Sequence, residues 1–502
     1  MWSNLSVLCF GVGLGLVACS SSNDGTNRSQ TAANAGAAGT TDTGSAGIDT
    51  GSAGTIGAGG AGMVGTGSAG MVGAAGASSL TLVVSPAVAH VSPGGTAQFT
   101  AKLGGSTEAP VTWSVKEGAS GGSISASGLY TAPASPGSFH VVATSQADER
   151  VTGSALVTSG VIGDCTKLPA AGTWEMISPL GPTESGGKNY AEAVVVDPFD
   201  PATVWFGTGF AGMFKSTDCG ASWTKVNTGR NAKEMDNGSH ISLAIDPVDR
   251  GTMYTVSLFG AWGLWKTTNG GVDWDQLFAS DSEFAKLTSN AIDAVVMDPL
   301  DHLHLILGMH SNCAAPYAPT CTAETTDGGA SWTIVKLPTT NWEEGAGPSI
   351  LDAKRWLYGG KDLWLTTDGA ATWKKVTPEG TWNFSGGEVS SRPIIQTADG
   401  TYLLTSSQGF VSSKDGLTWS LVPKFNKRVV ALTLNGGRLF ATDQWSKGIY
   451  TALESDHGTW TTVTPMADLP DDQGAPFVDY DAAHKVLYTG HFAGGLWRTV
   501  AP

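Results

Sequence analysis

One eight-residue phrase, written five times between residues 216 and 419, constrains this chain more than any other feature. The copies are Ser216-Thr217-Asp218-Cys219-Gly220-Ala221-Ser222-Trp223, TTNGGVDW ending at Trp274, TTDGGASW at Trp332, TTDGAATW at Trp373 and SSKDGLTW at Trp419. A worn sixth copy, SDHGTW, ends at Trp460. Successive tryptophans stand 51, 58, 41, 46 and 41 residues apart, the period of a four-stranded propeller blade. In such a turn the carboxylate accepts backbone N–H groups, glycine supplies a positive φ, and the tryptophan opens the next strand and packs between sheets. Asp218, Asn269, Asp327 and Asp368 therefore read as structural turn residues, with Asn269 and Lys414 standing where an Asp is expected and Ala370 where a Gly is.

Each phrase is preceded by a pair of strands. AVVVDPFDPATVWFGTGFAGMFK (193–215) aligns with SLAIDPVDRGTMYTVSLFGAWGLWK (242–266), with AVVMDPLDHLHLILGMH (294–310) and with four later copies, the last being VDYDAAHKVLYTGHFAGGLWRT. Short Val/Ile/Leu runs closed by Asp-Pro, Asp-Gly or Asn-Gly are strands ending in tight turns. Seven inner strands are counted, and the seventh copy reaches Pro502 before an outer strand. A substitute lies near residue 172, in Gly172-Thr173-Trp174-Glu175-Met176. Closing a ring with one strand from each end removes two exposed sheet edges. The expected fold is all-β: a seven-bladed β-propeller over 160–502 with an N-/C-terminal clasp, preceded by an immunoglobulin-like β-sandwich.

The repeated phrase resembles the Asp-box (BNR) repeat of sialidases, the xyloglucanase family, sortilin ectodomains and the photosystem II assembly factor. That resemblance implies a structural turn between the third and fourth strands of a blade, remote from the binding face.

Three segments precede the propeller. Residues 1–19 carry an apolar stretch ending Leu16-Val17-Ala18-Cys19, which resembles a bacterial lipoprotein signal and implies acylation of Cys19. The stretch is too short and glycine-rich for a transmembrane helix. Ser20 follows the cysteine, which by analogy with lipoproteins implies sorting to the outer membrane, hence a lipid-anchored protein of the bacterial cell envelope. Residues 20–78, almost wholly Gly, Ala, Ser and Thr, cannot bury enough apolar surface to offset the entropy of ordering. They read as a tether with an r.m.s. span of roughly 40 Å. Residues 79–159 alternate short strands with turn residues, as a β-sandwich does. SPGGTAQFTA, VTWSV and SGLYTAPASPG resemble bacterial Ig-like (BIG) domains, which implies a spacer role, with Trp113 the expected core aromatic.

A formal charge of −16 argues against nucleic acid, which calls for a basic face. Membrane contact is expected through the lipid alone, and the chain is expected to be a monomer. With Cys9 and Cys19 assigned to the signal, four cysteines remain, and in an oxidising compartment an even number suggests disulfides. Cys313 and Cys321 flank one loop and most simply staple it. The clasp brings blade 7 beside blade 1, so a Cys165–Cys219 bridge would pin the ring shut. No cofactor or metal is expected, because Cys165 and Cys219 lack a nearby second pair of ligands; only His310, close to the Cys313 loop, offers another donor.

Function is expected on the face opposite the repeated turns. Loops from an outer strand to the next inner strand carry Lys188, Asn189, Tyr190, Arg230, Asp236, Asn237, His240, Trp342, Glu343, Glu344, Trp382, Glu388, Arg392, Arg428, Asp471 and Asp472. Loops between second and third strands carry Phe210, Phe259, Trp262, His310, Tyr317, Trp445, His491 and Phe492. Aromatic rings among carboxylates and amides suit sugars, whose C–H faces stack while their hydroxyls hydrogen-bond. Tyr190, His240, Trp262, His310, Trp342, Trp382, Arg392, Trp445 and His491 are therefore the candidate ligand contacts, for an extracellular carbohydrate or glycoprotein. A peptide or folding partner is the other binding expectation, from the sortilin-like resemblance.

Enzymatic readings compete. TWEMISPLGPTESGGKNYAEAVVVDP resembles the start of xyloglucanase-family enzymes, which draw a catalytic Asp from each of two propellers. Here Gly209 stands where the first of those acids is expected, and one propeller's worth of repeats is written. Hydrolysis would need a new pair drawn from Asp236, Glu343, Glu344 and Glu388, since two acids must flank the bond. A sialidase-like site needs converging arginines, for which Arg230, Arg392 and Arg428 are candidates. A polysaccharide lyase could use His240 or His310 with Tyr190 as base and acid. Replacing Cys19 by Ser is expected to release the protein from membranes, and a Cys19→Ser variant retained in the membrane fraction would count against acylation.

Overall fold

The computed structural model describes residues 82–103, 107–160, 162–181, 190–277, 287, 292–310, 312–339, 346–380, 383–384, 394–443, 446–463, 466, 474–492 and 494–501. The expected signal, Cys19 and the tether lie outside them.

Among the described residues, 175–501 form seven four-stranded antiparallel blades. Their inner strands are Tyr190–Val196, Gly238–Ile245, Ile292–Asp298, Gly347–Ile350, Ile395–Gln396, Ala431–Asn435 and Phe477–Asp481. Blade 7 takes its outer strand, Glu175–Met176, from the other end of the chain, where it pairs with Gly495–Val500. The clasp is thus as expected. Arg498, only 1% exposed, rivets it: the guanidinium donates to Glu175 at 2.9 and 3.0 Å, to the Lys167 carbonyl at 2.7 Å and to the Cys219 carbonyl at 2.6 Å. Both expected disulfides are present, Cys165–Cys219 across the seam and Cys313–Cys321 within its loop.

The repeated turns sit between third and fourth strands. Asp218 accepts from the Ser216 hydroxyl, the Ser222 amide and the Ser222 hydroxyl at 2.8, 2.8 and 2.6 Å, and Asp327 and Asp368 repeat the pattern. Hydrogen bonds from Ser331 and Thr325 hold the Asp327 carboxyl down to about 2. Asn269 keeps the geometry with reversed polarity: its amide NH2 donates to Asp273, which stands where the other turns have a hydroxyl. One alignment needs correction. In SSKDGLTW the anchoring carboxylate is Asp415, which accepts from Ser413, Leu417 and Thr418. The turn is one residue shorter than its siblings, and Lys414 replaces nothing.

Residues 82–159 form a β-sandwich around Phe99, Tyr130, Val141 and Val157. Tyr130 is its buried aromatic and donates to the Gly121 carbonyl at 2.6 Å; Trp113, the residue expected there, is only partly buried at the core's edge. The sandwich meets the inner turns of blades 1 and 2. His90 contacts the Pro198 carbonyl at 3.2 Å, Arg250 donates to the Ser159 carbonyl at 3.2 Å while lying over the Phe199 ring at 4.3 Å, and Ser138 donates to the Pro247 carbonyl. These turns belong to the face opposite the functional loops.

Blade 3 buries a charge network. His304, 0% exposed, lies 3.0 Å from Asp298 and 2.9 Å from Glu324. Burial alone would lower its pKa, but the two carboxylates outweigh that and hold it up to about 9, against an ordinary 6.5. A raised folded-state pKa stabilises fully below pH 6.5, and the gain is lost as pH climbs through about 9. The melting temperature should therefore fall over that interval by a component that His304→Gln lacks; parallel profiles for the two proteins would refute the assignment. Replacing both Cys165 and Cys219 by Ser opens a loop with a sequence separation of 54. The chain-entropy estimate for such a loop is about 4 kcal/mol, so a lowered unfolding midpoint is expected in denaturant titrations.

Candidate functional site

The inner strands of blades 1, 2 and 3 carry irregularities at their loop-face ends: between Ala191 and Ala193, between Gly238 and Ser242, and between Ile292 and Ala294. A bulge re-aims one side chain out of the alternating pattern. Here it places Glu192 and Asp293 at matching positions of blades 1 and 3, with Ile241 at the same position between them. Both carboxylates are almost fully buried. Glu192 Oε1 accepts from the Ser239 hydroxyl at 3.0 Å, and Asp293 Oδ2 lies 3.7 Å from His310 Nδ1.

Above them runs an aromatic row. Phe210 has a left-handed backbone, φ +64°, and its amide donates to the Gly238 carbonyl at 2.8 Å. A side chain on Gly260, φ +78°, would collide with the Asn237 carbonyl, and would also come within 3.1 Å of the Phe210 ring. Phe259 and Trp262, on the same loop as Gly260, are 46% and 53% exposed. The Phe259 ring meets the His310 ring edge-on, centroids 6.0 Å apart. Tyr190, half-buried, pairs with Gly209 across the first two strands of blade 1. Gly209 has little room: a methyl group there would lie 3.0 Å from both Glu192 Oε1 and the Tyr190 ring. Glu192 therefore fills, from the adjacent strand, the space beside the residue whose side chain is missing.

The structure redistributes several expected contacts. Tyr190, Trp262 and His310 belong to this patch. His240 and His491 do not reach solvent: both are 0% exposed, and burial pushes each down to about 4. His240 Nε2 hydrogen-bonds the Met235 carbonyl at 2.7 Å, and His491 Nδ1 the Gly474 carbonyl at 2.7 Å. They brace loops, which corrects their reading as ligand contacts and removes His240 as a lyase base. Asp236 is held by Lys225 at 2.6 Å and Asn227 at 2.8 Å, on the outer side of blade 1. Arg230 forks onto Asp275 at 2.7 Å through two nitrogens, and Arg428 lies 3.6 Å from Asp443, so these arginines serve separate blades. Phe492 packs on Phe477 with centroids 5.6 Å apart. Trp342, Glu343, Glu344, Trp382, Glu388, Arg392 and Trp445 lie outside the described residues, as do Lys188, Asn189, Asp471 and Asp472.

Below the patch, a cavity of about 410 Å³ follows the propeller axis, lined mainly by Val, Ile, Leu and Ala from the inner strands. Its one acid, Asp479, is pushed up to about 6 by burial, although Val196, Tyr480 and Thr433 all donate to it. Such a lining offers a sugar few hydrogen bonds.

Glu192 and Asp293 were not among the sequence candidates. The signal was present, since each interrupts an otherwise apolar inner strand, in AEAVVVDP and AIDAVVMDP.

No protein-family profile matches the chain. It is 38% identical over 100 residues to a probable oligoxyloglucan-reducing end-specific xyloglucanase of Neosartorya fischeri, covering 20% of this chain and 12% of that one. It is 25% identical over 306 residues to a xyloglucanase of Hypocrea jecorina, covering 54% of this chain and 34% of that one. The chain thus spans about a third or less of these relatives' length. Among solved structures, an ancestral GH74 enzyme superposes with a TM-score of 0.46 at 16% identity, over 66% of this chain and 46% of that one. The seven blades make residues 175–501 a β-propeller, and over part of its length the chain is similar in sequence to xyloglucanases.

Proposed function

We propose that the propeller binds an extracellular glycan or glycosylated surface through the loop face of blades 1–3. In this reading the sandwich acts as an Ig-like spacer and the N-terminal segments as a lipid anchor and tether in the bacterial envelope. One observation carries the reading: the exposed Phe259 ring meets His310 edge-on, His310 lies 3.7 Å from the buried Asp293, and Trp262 stands exposed on the same loop as Phe259. Exposed rings can stack on the C–H faces of a sugar, while the polar groups beneath take its hydroxyls. The sequence likeness to xyloglucanases supports a polysaccharide as the ligand class.

Hydrolysis is the second reading, and one observation favours it. Glu192 occupies the space beside Gly209, where the xyloglucanase resemblance expects an acid. A general acid in a dry pocket is held protonated more readily than one in water. Asp293, at the matching position of blade 3, is the second carboxylate that such a reaction requires.

Trp262→Ala and Phe259→Ala should each weaken binding on a glycan array or by calorimetry about tenfold, equivalent to about 1.4 kcal/mol. Both side chains are about half exposed, so thermal stability should stay near wild type. Unchanged binding by both variants would refute the site. Release of reducing sugar from xyloglucan or another polysaccharide, abolished in Glu192→Gln, would replace the binding reading with the hydrolytic one.

A further inference from the structure

Two departures from the repeat pattern meet at the seam between blades 7 and 1. In the first turn Cys219 takes the place that Gly270, Gly328 and Gly369 hold in later turns, and it keeps their left-handed backbone, φ +60° against +70°, +68° and +66°. In the inner turn of blade 7, Asp481-Ala482-Ala483-His484, a histidine stands where blades 1–3 have Asp200, Asp249 and Asp301. His484 Nδ1 lies 4.0 Å from Cys219 Sγ and 2.6 Å from Asp481 Oδ2. One donor atom from each of Cys165, Cys219, Asp481 and His484 falls within 4.8 Å of all the others. Asp481 anchors its own turn, accepting from the Ala483 and His484 amides at 2.8 and 3.2 Å as Asp197 and Asp246 do in blades 1 and 2, so the imidazole is the group added beside the disulfide. The second pair of ligands was invisible in the sequence because ring closure brings residues 265 positions apart together.

We propose that this seam is an exchangeable cross-link: a disulfide when oxidised, and when reduced a zinc site of two cysteines, one histidine and one aspartate. A dithiol reductant supplies two electrons and two protons; the Cys165–Cys219 bond breaks and the dithiol becomes a disulfide. As the cation binds, both thiols lose their protons to solvent, and two sulfur–zinc bonds replace the sulfur–sulfur bond. Neutral His484 gives Nδ1 and Asp481 gives one oxygen, each exchanging its present partner for the metal. Thiolate and imidazole donors select zinc over magnesium or calcium. Tetrahedral zinc, with bonds of about 2.0–2.3 Å, sets its ligands about 3.3–3.8 Å apart, so the sulfurs must part. Cys165 can yield that movement, since 162–170 carries no regular secondary structure. Two thiolates and a carboxylate exceed the charge of the cation by one.

The test uses the full chain, reduced and then kept free of oxygen, titrated with cobalt(II) as a spectroscopic stand-in and then with zinc. One equivalent of cobalt should give tetrahedral visible bands with a thiolate charge-transfer band, and zinc should bleach them. The oxidised chain should show neither. His484→Ala and His484→Gln should each weaken cobalt binding at least tenfold while the oxidised variants keep the Cys165–Cys219 bridge and the wild-type circular dichroism. A Cys313→Ser/Cys321→Ser variant should keep the bands, which assigns them to the seam. A reduced wild type without tetrahedral bands, bands lost with Cys313 and Cys321, or His484 variants that bind cobalt like wild type would each overturn the proposal.

Discussion

The fold depends on one closure. A ring of blades has no edge only if its last sheet finds a fourth strand, and here that strand is two residues long, Glu175–Met176. Two residues of ladder are a weak hold, and the seam carries further ties. A buried arginine ties Gly495–Val500 to Glu175, Lys167 and the Cys219 carbonyl, while a covalent bridge joins the segment before the clasp strand to the first turn. Asp479 adds a third tie, accepting from Val196 of blade 1 and Thr433 of blade 6. Hydrogen bonds to charged groups are each worth about 1.5–3 kcal/mol, and truncating one partner of a buried charge costs more than the bond itself.

The two faces divide the work. Turns anchored by Asp218, Asp327, Asp368 and Asp415 fix one face, and two of its inner turns are also occupied by the sandwich. The other face is built from longer loops and bulged strand ends, where backbone conformations such as that of Phe210 carry strain. Strain of that kind persists only where the surroundings enforce it, and here the Gly238 carbonyl and the close approach of Gly260 do so.

Architecture was legible because it repeats. Tryptophan spacing announced the blades, and the truncated seventh copy announced the clasp, which in turn made the Cys165–Cys219 pair readable. The loop face was less legible because its chemistry does not repeat. His240 and His491 looked like surface ligands, yet each closes a hydrogen bond to a loop carbonyl inside the protein, a role that polarity alone cannot distinguish. Glu192 and Asp293 lie within apolar inner strands, and the bulges that set which way their side chains face carry no mark in the sequence. The shortened turn at Asp415 hid behind a one-residue deletion, and Trp113 yielded to Tyr130 because burial depends on the partner sheet.

Cys219 shows how such a seam can arise and be lost. A cysteine forced into a glycine's backbone conformation is a burden on its own, and Cys165 alone is a partly exposed reactive thiol. Neither residue can form the bridge until the other is present. The way back is asymmetric. Once Cys165 is gone, Gly at position 219 relieves the strain and restores the turn found in the other blades, whereas losing Cys219 first leaves Cys165 beside His484 and Asp481 with no sulfur to meet.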